Sequence, residues 1–588
     1  MSSIPENFKI VSKFNGYSNK QDITNLGDGF LVSGSQNVIS TDGNTIAVRK
    51  GFTLDGASNS ALTPIKRSFE WKTVRGLEIP LRSYNTKLEF RYSGAWYELA
   101  SGFSSILFEF DSVWKDVEKS DLLLFVNGDS NLREWSGGIT TFASAAATTI
   151  TKQGTTSWKQ EGFNSTGSKS ITINGTTYTY MAGEDTTTLT GVTPNPTLAG
   201  HAVGSVIAQT IVTTANKPVS GFSNDLIAVL RNQVYIASYK SRLVYVSKNT
   251  DYKDFTLTTP RAPGDPALIT LDGAVTGFAP QEENMYISAG VDQWYKTEFQ
   301  LSSDLLSESL KIIRLKTDSQ GAAPLQSAIG LMKNKIIFIS NEPTLDFLGR
   351  VENVSTPQGV PLSDPIKNDF QTYNFTDAHV KYFKNNLYIA LPRESRLLIY
   401  NIQKNYWEPP QILPTGRLAI INGNLYLHSN VVPETYKLFD STSDNGNPIA
   451  AIAKFSYMNY GARANKKVFN EWYTEGYIST NTTLTRKVYY DYKGFTTINS
   501  EDILGNSSII TLTSTTGSLG KKSLGKAKFG GSGGDDFPKF RVVHGVTEQD
   551  FWEMQPEYSS NGVDQRWELI AFGGNVDYSE ADNNEIKI

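Results

Sequence analysis

Along much of this chain, short runs of alternating apolar and polar residues are separated by tight polar turns. In residues 379–400 the side chains of Leu387, Ile389 and Leu391 alternate with Tyr388 and Ala390, the period of two that a β-strand imposes. The pairs Asn385–Asn386 and Gly423–Asn424 tolerate positive φ and read as the turns of two-residue hairpins. The same grammar recurs near residues 226, 275, 327, 379 and 417: an apolar strand, a tight turn, a second apolar strand, a longer connection and a third strand. Earlier copies occupy residues 86–100, with Ser93–Gly94 at the turn, and 121–139, with Asn127–Gly128 at the turn and Trp135 in the following strand. This parsing gives seven units. Where nothing intervenes they recur at about 40–50 residues, the period of propeller blades. A sandwich or an irregular set of barrels would also use many hairpins, and both stay open on pattern alone.

Two regions break the rhythm. Residues 143–216 are rich in Thr, Ala and Gly, and Ile171, Ile173 and Tyr178 alternate around Asn174–Gly175 without a blade signature. They read as a small β module inserted in a surface loop, where chain entropy and packing tolerate additions. After the turn-rich residues 441–448 the strands lengthen, as at Arg486–Tyr492 and Lys539–His544, with a Gly-rich connection from Gly517 to Gly534 between them. The expected organisation is all-β. An entry segment spans residues 1–60, a propeller-like core 61–142 and 217–445, the inserted module 143–216, and a C-terminal β-sandwich 446–588.

Composition agrees with this pattern. The 28 Tyr and 30 Phe suit pleated, half-buried surfaces, and a hydrophobic share of 39% excludes a disordered chain. A net charge of −4 gives no footprint for wrapping nucleic acid, which needs a basic face. The chain has no cysteine, so disulfides, thiolate metal sites and cysteine nucleophiles are absent. The first residues are polar and lack an apolar core of signal-peptide length, and no run reaches the roughly 18 apolar residues of a membrane span.

Candidate chemistry is sparse. The stretch 520–534 has Gly and Lys in an order that makes no phosphate-binding loop. His201, His379, His428 and His544 are far apart, and none has a partner at metal-ligand spacing. His379 and His428 fall in blade strands and read as packed or rim residues. Glu282–Glu283 and Asp535–Asp536 are adjacent, so on a strand they face opposite ways and do not form a glycosidase pair. Residues 42–44 and 444–447 resemble fragments of calcium loops but lack the full ligand pattern, and read as turns. Trp135, Trp294, Trp407 and Trp567 could bind sugars or partners, but large aromatics are mainly core residues. The sequence therefore offers no catalytic, cofactor-binding or metal residues.

Three segments carry a family resemblance. Residues 36–52 end in the step Arg49, Lys50, Gly51, Phe52; residues 393–411 place an apolar strand with Tyr400 before a turn and Trp407; and residues 566–576 close the chain after a sandwich. Together they resemble the tail hub and nozzle proteins of short-tailed bacteriophages, a β-propeller family also described as tail stabilisation or accessory proteins. The resemblance covers the order of parts and short motifs; the module at 143–216 departs from the simplest members. It implies a non-enzymatic virion protein, made in the host cytoplasm, without cofactors. It also implies a ring of copies, most plausibly six, extending or closing the DNA-ejection channel. Portal or adaptor proteins and fibres or a needle would be its partners, with DNA only as passing cargo and no membrane insertion. The residues around Trp407 and the Gly-rich connection are the expected contact regions. The alternative is a receptor-binding or baseplate protein that grips a host glycan or protein; a carbohydrate-active enzyme on a propeller scaffold is a third reading.

Overall fold

The protein was analysed as a computed structural model. It describes residues 8–578 except 21–25, 42–43, 60, 106, 116–119, 130, 215–221, 292, 302–307, 316–322, 324, 333–334, 349–360, 460–466, 480–481, 491–509, 514–538, 546–549 and 552. Among the described residues the chain is almost wholly β, with Lys367–Thr372 as the one α-helix.

Seven antiparallel sheets follow one another with the simplest order, each strand pairing with the next. Blade 1 comprises Arg67–Lys72, Glu78–Tyr84, Lys87–Tyr92 and Ala95–Ala100. Blade 2 comprises Glu109–Lys115, Ser120–Val126 and Leu132–Trp135, with Val212–Thr214 as its outer strand. Blade 3 spans Leu226–Leu230 to Ala267–Thr270, and blade 4 spans Val275–Gln281 to Glu308–Leu315. Blade 5 has three strands among the described residues, Ile329–Met332, Lys335–Ile339 and Leu345–Leu348. Blade 6 runs from His379–Phe383 to Tyr406–Trp407. Blade 7 comprises Leu418–Ile421, Asn424–His428 and Thr435–Ser441. The first strand of each blade touches the first strand of the next, and that of blade 7 touches that of blade 1. The sheets therefore close into a seven-bladed propeller with these strands around its axis.

Closure depends on a strand from the other end of the sequence. Gly51–Asp55 supplies the outer strand of blade 7, with Phe52 opposite Leu438 and Asp55 opposite Thr435. Leaving Thr435–Ser441 as an edge would expose a row of unpaired backbone groups. The step Arg49 to Phe52 now has a physical reason. The buried Arg49 guanidinium forks onto Asp444 at 2.7 and 2.6 Å and donates to the Ile412 carbonyl at 3.0 Å. Gly51 crosses Ser443 so closely that a Cβ there would lie 2.0 Å from the Ser443 carbonyl oxygen. Phe52 packs on Tyr436 with ring centroids 4.7 Å apart.

Aromatic and aliphatic side chains fill the spaces between blades. Trp71 of blade 1 meets Trp135 of blade 2 at 5.9 Å, and Trp294 of blade 4 meets Phe338 of blade 5 at 5.0 Å. The hairpin turns differ by one residue from the reading above in two cases. Positive φ falls on Lys384 and Asn385, and on Asn422 and Gly423, so the strands begin at Asn386 and Asn424. Alternation fixes which residues face the core, but a turn one residue earlier leaves that alternation intact.

The inserted module leaves blade 2 after Trp135 and returns at Val212–Thr214. Its six-stranded sheet begins at Ile139 and ends at Gln209, which places its start four residues before the position read from sequence. Phe142, Ile150, Trp158, Ile171, Tyr178 and Ile207 belong to its own core. At the C-terminus two sheets face each other. One holds Ile449–Lys454, Met554–Gly562, Thr483–Tyr490 and Ile510–Thr513; the other holds Lys467–Ile478, Lys539–Gly545 and Trp567–Tyr578. Phe572 packs between them against Phe455 at 4.5 Å and Tyr558 at 5.7 Å. The N-terminal segment is not a separate entry piece: Phe8–Val11 and Ile46–Val48 pair with Trp567–Tyr578 of this sandwich.

Candidate functional site

The axial strand of a blade has one neighbour in its own sheet, so its other edge needs partners. Polar side chains from adjacent blades supply them. The Val229 N–H donates to Asp111 Oδ2 at 2.6 Å, and the Phe278 N–H to Gln326 Oε1 at 2.6 Å. The Leu418 N–H donates to His379 Nδ1 at 2.9 Å, and the Ile420 N–H to Glu70 Oε1 at 3.0 Å. Glu70 also holds Lys381 Nζ at 2.5 Å, which joins blades 1, 6 and 7. These contacts stitch neighbouring blades along the axis.

At the end of the axis where the axial strands begin, charged groups gather. Arg67 Nε donates to Glu109 Oε1 at 3.1 Å, and Arg67 NH1 to the Lys66 carbonyl at 3.0 Å. Arg417 Nε reaches the same Lys66 carbonyl at 3.0 Å. Arg417 is 4% exposed, and burial, aided by Arg67, pulls its guanidinium down to about 9. Burial and then Arg417 hold the His379 imidazole neutral, well below the ordinary histidine range. Burial pushes the Glu109 carboxyl up, against the pull of Arg67 and Arg417. Between blades 1 and 7, Arg82 donates to Thr435 Oγ1 at 2.8 Å, and that hydroxyl lies 2.9 Å from His428 Nδ1. His428 is fully buried, and burial followed by Arg82 keeps it neutral.

A concavity lies between blade 2, the inserted module and the loop carrying Lys253. It holds about 200 Å³ and is lined by Lys115, Glu134, Ser136, Asn164, Ser168 and Lys253, among others. Glu134 pairs with Lys253 at 3.0 Å and accepts the Tyr252 hydroxyl.

The four histidines do not meet. His201 belongs to the inserted module, where its Nε2 lies 2.6 Å from the Tyr178 hydroxyl. His379 lies on the axial strand of blade 6 and stitches it to blade 7, whereas His428 ends the second strand of blade 7 and packs against Thr435 and Trp96. His544 falls in Lys539–Gly545, and its side chain lies outside the described residues. Asp535–Asp536 and the Gly517–Gly534 connection also lie outside them. Glu283 pairs with Arg231 at 2.7 Å on the surface. Trp135, Trp294, Trp407 and Trp567 are all buried. The surroundings of Trp407 are covered by the chain itself: the Tyr17 N–H donates to the Trp407 carbonyl at 2.8 Å, and Trp407 Nε1 donates to the Leu362 carbonyl at 2.7 Å. That stretch is therefore an internal seam. No group of three or more metal-ligating side chains occurs among the described residues. No helix among them is long and apolar enough to cross a membrane.

No family model and no curated protein matches the chain. Among solved structures it is similar to BamB from Moraxella catarrhalis, at 8% identity over 74% of this chain and 98% of that one, with a TM-score of 0.30. It is similar to YCF48 bound to D1 peptide at 9% identity over 68% and 97%, with a TM-score of 0.35. It is also similar to the computationally designed Ika8 protein at 10% identity over 66% and 99%, with a TM-score of 0.32. The propeller itself rests on this chain's own sheet order and closure.

Proposed function

We propose that this protein is a structural component of a bacteriophage tail, a nozzle or hub that works without catalysis. Copies would form a ring that extends or closes the DNA-ejection channel and anchors other tail proteins. The observation that carries this reading is where the family-like segments fall. Arg49 to Phe52 locks the propeller shut, residues 393–411 build blade 6 and its seam, and Trp567–Tyr578 binds the N-terminal strands into the sandwich. A part that must hold its shape under ejection suits such doubly fastened ends. The ring interface would be heterologous, two different patches of each copy meeting head to tail around the axis.

The alternative, receptor binding through the inserted module, is favoured by a specific feature. Met181, Leu198 and Val203 of that module are 75%, 83% and 68% exposed. Apolar side chains of this size on a surface module are candidate contacts for another protein. Quantitative mass spectrometry of purified particles tests the main reading. A ring component is present at a few copies per particle, in fixed ratio to the portal. Absence from particles, or a copy number matching the capsid lattice, sinks it.

A further inference from the structure

The concavity beside Lys253 is built by three separate stretches of chain. Blade 2 brings Glu134 and Ser136, the inserted module brings Asn164 and Ser168, and the loop of blade 3 brings Lys253. Its charged pair is already closed. Glu134 is 8% exposed, its carboxylate takes Lys253 Nζ at 3.1 Å on Oε1, and the Tyr252 hydroxyl holds Oε2. Lys115, at the end of the axial strand of blade 2, also lines the space and has contacts of its own. The neutral groups are held but not used up. Asn164 is fixed from three sides: its N–H donates to Gln209 Oε1 at 3.1 Å, its Nδ2 to the Ser168 carbonyl at 2.9 Å, and its carbonyl accepts the Tyr180 hydroxyl at 2.6 Å. Asn164 Oδ1 and Ser168 Oγ keep no partner among the described residues. Ser136 Oγ is buried without any partner. A buried hydroxyl left so is costly unless something in the cavity bonds to it.

We propose that this concavity binds one monosaccharide residue, held by Ser136, Asn164, Ser168 and Lys253. The set mixes an acceptor (Asn164 Oδ1), a donor (the Lys253 ammonium) and two hydroxyls that do both. A sugar hydroxyl also donates and accepts, so a ring of them satisfies such a set. A bare anion would meet Glu134 and the Asn164 oxygen, and a cation would meet Lys253 and Lys115. About 200 Å³ is the scale of one pyranose ring, not of two. The sugar would bridge blade 2 and the module at their joint, on a platform whose backbone is fixed by Gln209. Only the source of the sugar, a host-surface glycan, rests on the receptor-binding alternative above; the site itself does not.

The test is saturation-transfer difference NMR of the full chain with glucose, galactose, mannose, rhamnose and N-acetylglucosamine, each titrated alone. At least one should take up saturation with a binding curve that levels off. Ser136→Val combined with Asn164→Ala, checked for folding by circular dichroism, should weaken that binding at least tenfold, and Lys253→Met several-fold. Arg393→Met, at an exposed side chain of blade 6, should bind like the parent. No transfer to any of these sugars overturns the proposal, as does a folded double variant that binds normally. Should the double variant fail to fold, unchanged binding by Lys253→Met overturns it instead. Failure here leaves receptor binding through protein contacts standing, because the position of this chain on labelled particles tests that reading separately.

Discussion

Arg49 and Asp444 are 395 positions apart, and their forked contact fastens the chain's N-terminal segment to the end of the propeller. Arg49 is 2% exposed, so removing it leaves Asp444 and the Ile412 carbonyl without the guanidinium donors they accept from. Arg49→Met should cost about 3–5 kcal/mol in urea unfolding, the range for breaking a buried pair from one side. Asp444→Asn added to Arg49→Met should recover part of that loss. Two buried acids set a pH dependence. Burial raises Asp111 to about 6 and Glu408 to about 7, against the hydrogen bonds that favour their charged forms. Carboxyls in the unfolded chain titrate near 4. Between about pH 4 and 7 the native state thus holds protons that the unfolded state has lost, and stability falls as pH rises through that window. Asp111→Asn with Glu408→Gln should flatten this part of the stability profile; an unchanged slope in denaturant midpoints would refute the assignment. The axial groups were not visible from sequence. Arg67, Glu109 and Arg417 sit in unrelated segments, and only the closing of the ring brings them together. Their one local trace is a charged residue at or just before the start of a strand.

Hairpins are the element that a linear pattern reports best, because both strands and the turn are contiguous. Leu387, Ile389 and Leu391 alternate correctly, and Ser93–Gly94 and Asn174–Gly175 take positive φ as their types require. Pairing between distant strands leaves no such trace. Nothing near Gly51–Asp55 names Thr435–Ser441 as its partner, so the entry segment looked separate when it is the propeller's closing strand. The module's start was misplaced because only residues 136–138 separate blade strand Leu132–Trp135 from module strand Ile139–Ala146. Two predictions belong at this scale. Gly51→Ala must displace the Ser443 carbonyl, so it should loosen the outer strand of blade 7, read as faster amide exchange at Phe52 to Leu54 and at Tyr436 to Leu438. The module enters and leaves through directly paired residues, Ile139 opposite Ala208. Replacing residues 140–207 with an Asn-Gly turn should therefore leave the propeller folded, with far-UV circular dichroism still β and a single unfolding transition. Collapse of the shortened chain would mean that the module's core supports blade 2.

At the scale of the whole molecule, the described N-terminal and C-terminal segments are both paired into the body. N-terminal strands complete blade 7 and the C-terminal sandwich, and Tyr17 lies over blade 6 with its hydroxyl 3.0 Å from Asp369 Oδ2. One hydrophobic cluster runs from the sandwich through Trp407 into blades 4, 5 and 6, so propeller and sandwich share a core. A core shared in this way opposes hinging at the junction, which suits the proposed nozzle or hub role. The most direct measurement of that role is electron microscopy of intact phage particles from the source, labelled with antibody to this chain. The account predicts label confined to the tail, at its tip or at the joint below the head. Label on projecting fibres or spikes would contradict the nozzle assignment in favour of receptor binding, and particles without label would contradict a virion role altogether.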